Sequence, residues 1–418
     1  MRVEISAKSE FRLKARFPGT FSISTENFLI EFALTVYIFF SLLSRSFFYT
    51  MLPALIFQLV NLFCLAVLVL LEVLAVYNKH YTIGFLMKLL PLLMCFVIFY
   101  RYMGAKSALL LLFILTSRLY DKNKLLKLAM YVSAFSLLLI VGASLIGIIK
   151  NYKMIGIDGR NRQYLGFFYC LIPSLILSNI SFLYVYLNQK KCRLWVILLL
   201  AAANIWMYQK TLSRFSMLST LLVLLLVVLM KWGLDWCKFL EQHRGIAYCL
   251  CLSFVAMALL SAVAFSIYQP NILWLRKLNT LFEGRISMTQ KSLIYYGIPL
   301  FGQEVDWIGN GLTSEGKDTA GIYLYVDNLY FNLIQRVGVI PFILISIFLT
   351  FSLFRAVKRK DYMLVMLWVF LSVHGLIDNM IMGLFYNSLW IVSGAYFFGE
   401  EKQLNPLKQV LKKMGVYI

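Results

Sequence analysis

Charge is scarce in this chain. Of its 418 residues only 14% are Asp, Glu, Lys or Arg, while 61% are hydrophobic and the mean hydropathy is +0.78. A soluble domain is roughly a quarter charged and about half apolar, so a soluble globular fold is excluded and a polytopic membrane protein is indicated. A cleavable leader is missing as well: residues 1–27 are polar and basic, with no short apolar core followed by small residues. The first apolar run is therefore read as a retained anchor. The seven cysteines include no metal-type CxxC pair, and none falls in a segment read as outward. This argues against a disulfide framework and against a zinc site. There is no internal repeat and no low-complexity stretch. The net charge of +21 comes without a contiguous basic patch, which argues against a nucleic-acid partner.

What the chain does have is apolar runs. A helix crossing the hydrocarbon needs about 20 apolar residues. Twelve candidate spans are predicted at 28–48, 52–77, 83–100, 104–120, 127–149, 164–187, 194–209, 213–231, 246–268, 322–354, 362–380 and 382–399. The fourth is short. The tenth is too long for one span, so its start is read as an interfacial helix along the outer surface. The expectation is an all-α, multi-pass protein. A basic N-terminal segment (1–27) precedes spans one to nine (28–268), a large outer loop (269–321), spans ten to twelve (322–399) and a tail (400–418). With both termini inside, 24 of the 40 basic residues fall in inner segments and 14 in outer ones, the asymmetry that orients membrane proteins. Lys88, inside the third span, lies at a depth similar to Glu72 in the second. An ion pair or snorkelling to the inner headgroups accounts for both.

No other outer loop approaches the length of 269–321. Loops longer than about 15 residues are usually functional or disordered, and Trp274, Tyr295, Tyr296, Trp307, Tyr323 and Tyr325 in or beside this one argue against disorder. Residues 285–297 have helical potential, which Gly297, Pro299 and Gly302 then break.

The strongest chemical signal is a set of outward arginines. Arg160 and Arg162 ("GRNRQYLGF") precede the sixth span and Arg214 ("TLSRFSML") begins the eighth. Arg276 and Arg285 lie in the large loop, and Arg336 lies near the outer start of the tenth span. Helices entered from outside present free N–H groups and partial positive charge outward, so Arg162, Arg214 and Arg336 weaken those ends unless an anion binds there. Helix N-termini hold phosphate, and arginine offers forked donors to its oxygens. The plainer alternative is snorkelling to lipid phosphates.

Asp327 and Asn328, in "YVDNLYFNLIQRVGVIP", stand where the large loop meets the tenth span. There a carboxylate can accept a proton from a hydroxyl nucleophile and an Asn can orient a polar ligand; alternatively Asp327 caps the following helix. His374 and Asp378, four residues apart on one expected helix face, suit catalysis or pairing with an outer arginine. Glu304 and Asp306, two loop carboxylates without histidine, are a weak metal signal and are read as a solvated face.

Taken together, the twelve runs, the large loop before the tenth, "GRNRQYLGF", "LSRFSML", "LFEGRI" and "DNLYFNLIQRVGVIP" resemble the O-antigen ligase/polysaccharide polymerase superfamily, and more closely its Wzy-type O-antigen and capsule polymerases. The resemblance covers roughly residues 80–400 through short motifs. It implies a GT-C-type membrane glycosyltransferase, needing neither cofactor nor obligatory metal. Such an enzyme joins repeat units carried on undecaprenyl pyrophosphate at the outer face of the bacterial cytoplasmic membrane. Partners implied are lipid-linked oligosaccharides, membrane lipids, and the pathway's flippase and chain-length regulator. The ligase branch often has His-Asn where this chain has Asp327-Asn328, which favours polymerisation. On this resemblance Asp327, Arg162 and Arg214 are the catalytic residues. Arg160, Arg276, Arg285, Asn328, Tyr330, Arg336, His374 and Asp378 are the substrate-binding set. A ligase, or a flippase for the same lipid-linked substrate, is the alternative.

Overall fold

A computed structural model describes residues 23–77, 83–155, 161–309, 311–317 and 323–399. Arg160, most of the N-terminal segment and the 400–418 tail lie outside the described residues.

Apolar runs become helices because a chain in hydrocarbon must satisfy its backbone internally. The first eight helices are α1 (Ile23–Leu43), α2 (Ala54–Tyr77), α3 (Ile83–Met103), α4 (Ala105–Thr116), α5 (Lys122–Leu145), α6 (Ile172–Asn188), α7 (Leu194–Thr211) and α8 (Arg214–Lys231). Two short helices, α9 (Trp236–Gln242) and α10 (Arg244–Leu250), lead to α11 (Ser253–Ile267). The large loop carries α12 (Leu273–Leu281) and α13 (Arg285–Tyr296). The chain then forms α14 (Leu329–Val337), α15 (Val339–Lys358), α16 (Tyr362–His374) and α17 (Leu389–Phe398). A helix falls within each of the twelve predicted runs. By length and composition six are apolar enough to cross a membrane: α1, α2, α3, α5, α8 and α15. A seventh is added if α10 and α11, bent by 51°, count as one span.

Several boundaries depart from expectation. The sixth run is helical only from Ile172, with a Pro in its first turn. Before it comes a second sizeable connection, containing the ribbon β1 (Lys153–Ile155) and β2 (Asn161–Gln163), the exception to an all-helical fold. The tenth run breaks at Gly338, and the helix preceding the break is buried in the protein rather than lying along its surface. The eleventh run ends at His374, so His374 and Asp378 do not share a helix face. The predicted helix after Arg285 is α13, and Gly297 ends it in the left-handed region.

Hydroxyls and amides stitch α6 to its neighbours. Ser174 meets Thr211 at 2.8 Å, Thr220 donates to Ser178 at 2.9 Å, and Asn204 donates to Ser181 at 3.2 Å. Short polar side chains of this kind hold helices together where lipid provides no hydrophobic drive. Elsewhere α2 and α3 leave Leu55, Leu59, Leu62, Val73, Met87, Leu90 and Val97 exposed, an apolar surface suited to lipid.

The connections gather at two ends. At one, Arg118 forks onto Glu72 at 2.7 and 2.8 Å, and Tyr186 and Tyr396 both donate to Asp361 at 2.7 Å. Lys190–Asp235 and Lys360–Glu241 pair there too. Glu72 thus takes its fork from Arg118, while Lys88 donates to the Phe397 carbonyl at 3.1 Å. The large loop, the ribbon and the segment after α16 occupy the other end.

Candidate active site

A tight turn builds the site's centre. Glu283 and Gly284, both with positive φ, reverse the chain between α12 and α13. The Asn279 side chain braces the reversal, accepting from the Ser287 N–H at 3.1 Å and donating to its hydroxyl at 3.1 Å. Arg285, the first residue of α13, is thereby aimed inward. Its Nε donates to the Ile377 carbonyl at 2.8 Å and lies 3.3 Å from Asp327 Oδ2, while Nη1 meets Glu283 Oε2 at 3.2 Å. The Arg285 and Asp327 side chains are only 14% and 17% exposed.

Asp327 is carried to this point by the start of α14. There Asn328 caps the helix, accepting from the Phe331 N–H at 3.2 Å and donating to Ser261 at 2.9 Å and to the Leu376 carbonyl at 3.0 Å. The Leu329 N–H adds a bond to the Gly375 carbonyl at 2.8 Å. These contacts fasten the segment past α16 against Asp327 and bring in Asp378. Asp378 is 7% exposed, and its Oδ1 accepts from the Met380 N–H at 2.8 Å.

The electrostatics follow from burial. Desolvation raises the Asp327 carboxyl above its ordinary range, Arg285 opposes this and Glu283 adds to it. Asp378 is pushed up to about 7, chiefly by burial; the Met380 N–H and Arg285 hold it down and the charge of Asp327 drives it further up. Arg285 is raised, because Asp327, Tyr169 and Glu283 outweigh its own desolvation. The Tyr169 hydroxyl is pushed well up by burial, with Asp327 contributing. Two buried carboxylates sharing one guanidinium, one of them poised near neutrality, are suited to taking a proton from a hydroxyl.

Arg285, Asp327 and Asp378 are therefore brought together. Arg162 approaches the same place. It sits on β2 opposite Met154, and its charge acts on the Cys170 thiol together with that of Glu283. Arg214 is exposed at the start of α8, next to Phe215, whose ring meets His374 edge-on at 5.1 Å. Other predicted residues do not take the expected role. Arg276 is exposed on α12, away from these contacts. Arg336 spends a guanidinium donor on the Tyr102 carbonyl at 2.8 Å, tying α14 to α3. Asn328 uses its amide for capping and bracing instead of meeting a ligand. Tyr330 is fully buried and donates to the Ser372 carbonyl at 2.6 Å. His374 is buried against Phe215. Glu304 pairs at the surface with Arg101 at 2.8 Å. Among the described residues no three His, Cys, Asp or Glu side chains gather as a metal site.

Glu283 and Tyr169 belong to the cluster but went unnoticed in the sequence. Glu283 adjoins the "EGR" motif and was within reach of a local reading. Nothing near Tyr169 marks it.

No family model, curated protein or solved structure matches this chain.

Proposed function

We propose that this protein is a polysaccharide polymerase of the cytoplasmic membrane, a GT-C-like glycosyltransferase with twelve spans and both termini inside. It transfers a growing glycan from undecaprenyl pyrophosphate to a lipid-linked repeat unit at the outer face. The observation that carries this reading is the buried Arg285–Asp327 pair beside Asp378, placed under the large loop at one end of the bundle. That end holds the segments assigned outward by the excess of Lys and Arg in the others.

In this reading Asp327, positioned by Arg285, takes the proton of the acceptor hydroxyl. The acceptor oxygen forms its bond to the sugar C1 as the bond from C1 to the pyrophosphate breaks, with inversion. The leaving diphosphate departs with the electron pair, and Arg162 and Arg214, with Arg160 and Arg285, stabilise its growing charge. A direct displacement needs no covalent enzyme intermediate. Trp and Tyr side chains of the loop, such as the Trp307–Tyr325 pair with rings 5.6 Å apart, offer faces for sugars.

Deleting the protein and extracting the lipid-linked pool tests the reading: single repeat units accumulate and long chains vanish. Restoring the protein as Arg162→Ala or Asp327→Ala leaves single units in place. Replacing Arg162 lowers the rate by about two to three orders of magnitude, the effect of losing one preorganised charge contact. Undiminished chain length in the deletion rules out polymerisation. Purified protein in vesicles that moves the oligosaccharide across the bilayer without lengthening it identifies a flippase.

A further inference from the structure

Beside the Arg285–Asp327 pair lies a cavity of about 540 Å³ that the reaction above does not use. Its lining includes two cations, Arg45 and Lys106, and no carboxylate. The Lys106 ammonium donates to the Ser44 hydroxyl, and the two like charges act on one another. Among the described residues the Arg45 guanidinium makes no hydrogen bond or ion pair. A third cation, Arg336, is close enough for its charge to interact with that of Arg45. Positive charge gathered in a polar recess without an anion calls for one from outside.

The walls say more about the ligand. Helix α2 is apolar and largely exposed, yet Gln58 and Asn61, three residues apart and so on one face, both line this cavity. Polar side chains on a lipid-facing helix are unfavourable unless they meet a polar space. Opposite them the lining is apolar: Ala54, Phe57, Ile172, Leu312 and Met380. The space exceeds what a small inorganic anion fills and is half polar, half greasy, as a phosphate ester with the first carbons of its lipid chain requires. Two residues join it to the candidate active site. Tyr169 lines the cavity and interacts electrostatically with Asp327, and the Met380 N–H is bonded to Asp378.

We infer that Arg45 and Lys106 form a phosphate site for the headgroup of a membrane lipid, entered from the exposed face of α2. The inference rests on charge and shape alone and stands whether or not the chain transfers sugars. Under the polymerase reading, a reaction between two lipid-borne glycans needs two headgroup sites, and this cavity provides the second.

Binding to the purified full-length protein in a neutral detergent tests it, with a polyprenyl monophosphate, the matching polyprenol and inorganic pyrophosphate as probes. The phosphate ester binds, the polyprenol binds at least tenfold more weakly, and pyrophosphate competes only at much higher concentration. Arg45→Gln weakens the ester at least tenfold, and Arg45→Lys restores most of it. Arg45 is exposed and unbonded, so the glutamine variant keeps the wild-type melting temperature. Equal binding by wild type and Arg45→Gln overturns the site. Pyrophosphate as tight as the ester overturns the lipid assignment. Because no transfer step is read, failure here is distinct from failure of the polymerase reading.

Discussion

Arg285 Nε lies 3.3 Å from Asp327 Oδ2, at the meeting of the first residue of α13 with the last residue but one before α14. The carboxylate is raised by burial and held ionised by this one guanidinium. The pair is therefore as much a structural tie between the large loop and the bundle as a catalytic arrangement.

Replacing Arg285 by Ala leaves a buried carboxylate unpartnered, which costs about 3–5 kcal/mol. Adding Asp327→Asn in that background recovers part of the loss, although neither variant makes polymer. A double-mutant cycle of melting temperatures measures the coupling. Additive losses would show that the two side chains do not interact.

Asp378 gives the protein a pH dependence of defined sign. Its folded value of about 7 lies above the ordinary 3.8, so between these values the folded protein holds a proton that the unfolded chain has released. Stability is full below about pH 4, falls as pH rises to about 7, and is level above, with a loss of up to about 4 kcal/mol from this group. Asp378→Asn keeps an oxygen for the Met380 N–H and flattens the curve. Thermal melting from pH 5 to 8 for both proteins checks this, and parallel curves would refute it.

Gly338 cannot carry a side chain. Its φ is +95°, and a Cβ there would lie 2.4 Å from the Leu300 carbonyl oxygen. The descending part of the large loop lies against this break, where the Val339 and Ile340 N–H groups donate to the Pro299 and Leu300 carbonyls at 3.0 and 3.1 Å. Gly338→Ala lowers stability by about 2–4 kcal/mol, and protease cleavage of the loop between 297 and 309 increases. Unchanged cleavage means that the loop is anchored elsewhere.

Tyr330 and Asn328 separate structure from binding. Tyr330→Phe loses one buried bond, about 1 kcal/mol, and leaves polymer yield per folded molecule unchanged. Asn328→Ala removes a cap and two braces and costs about 2–3 kcal/mol. A raised substrate KM in Tyr330→Phe without a stability loss would restore that tyrosine to the binding set.

Much of the architecture was legible locally. Runs of about 20 apolar residues mark helices wherever hydrocarbon forbids open backbone, and Gly297 and Gly338 mark real ends because each adopts a positive φ. The site was legible only as a list of candidates. Asp327 and Arg285 were both on it, but so were Tyr330 and His374, which burial removes. Asn328 looked like a ligand contact, yet its position ahead of α14 makes it the cap.

The amino-acid order by itself determined the membrane character, the helical runs, the large loop and the asymmetry of basic residues, because length, hydropathy and charge act locally. The tertiary structure alone decided that Asp327 pairs with Arg285, that Tyr169 and Glu283 join them, and that Arg45 and Lys106 share a cavity. Those meetings join distant parts of the chain, and their strength depends on how far packing removes each charge from water, a quantity no local pattern encodes.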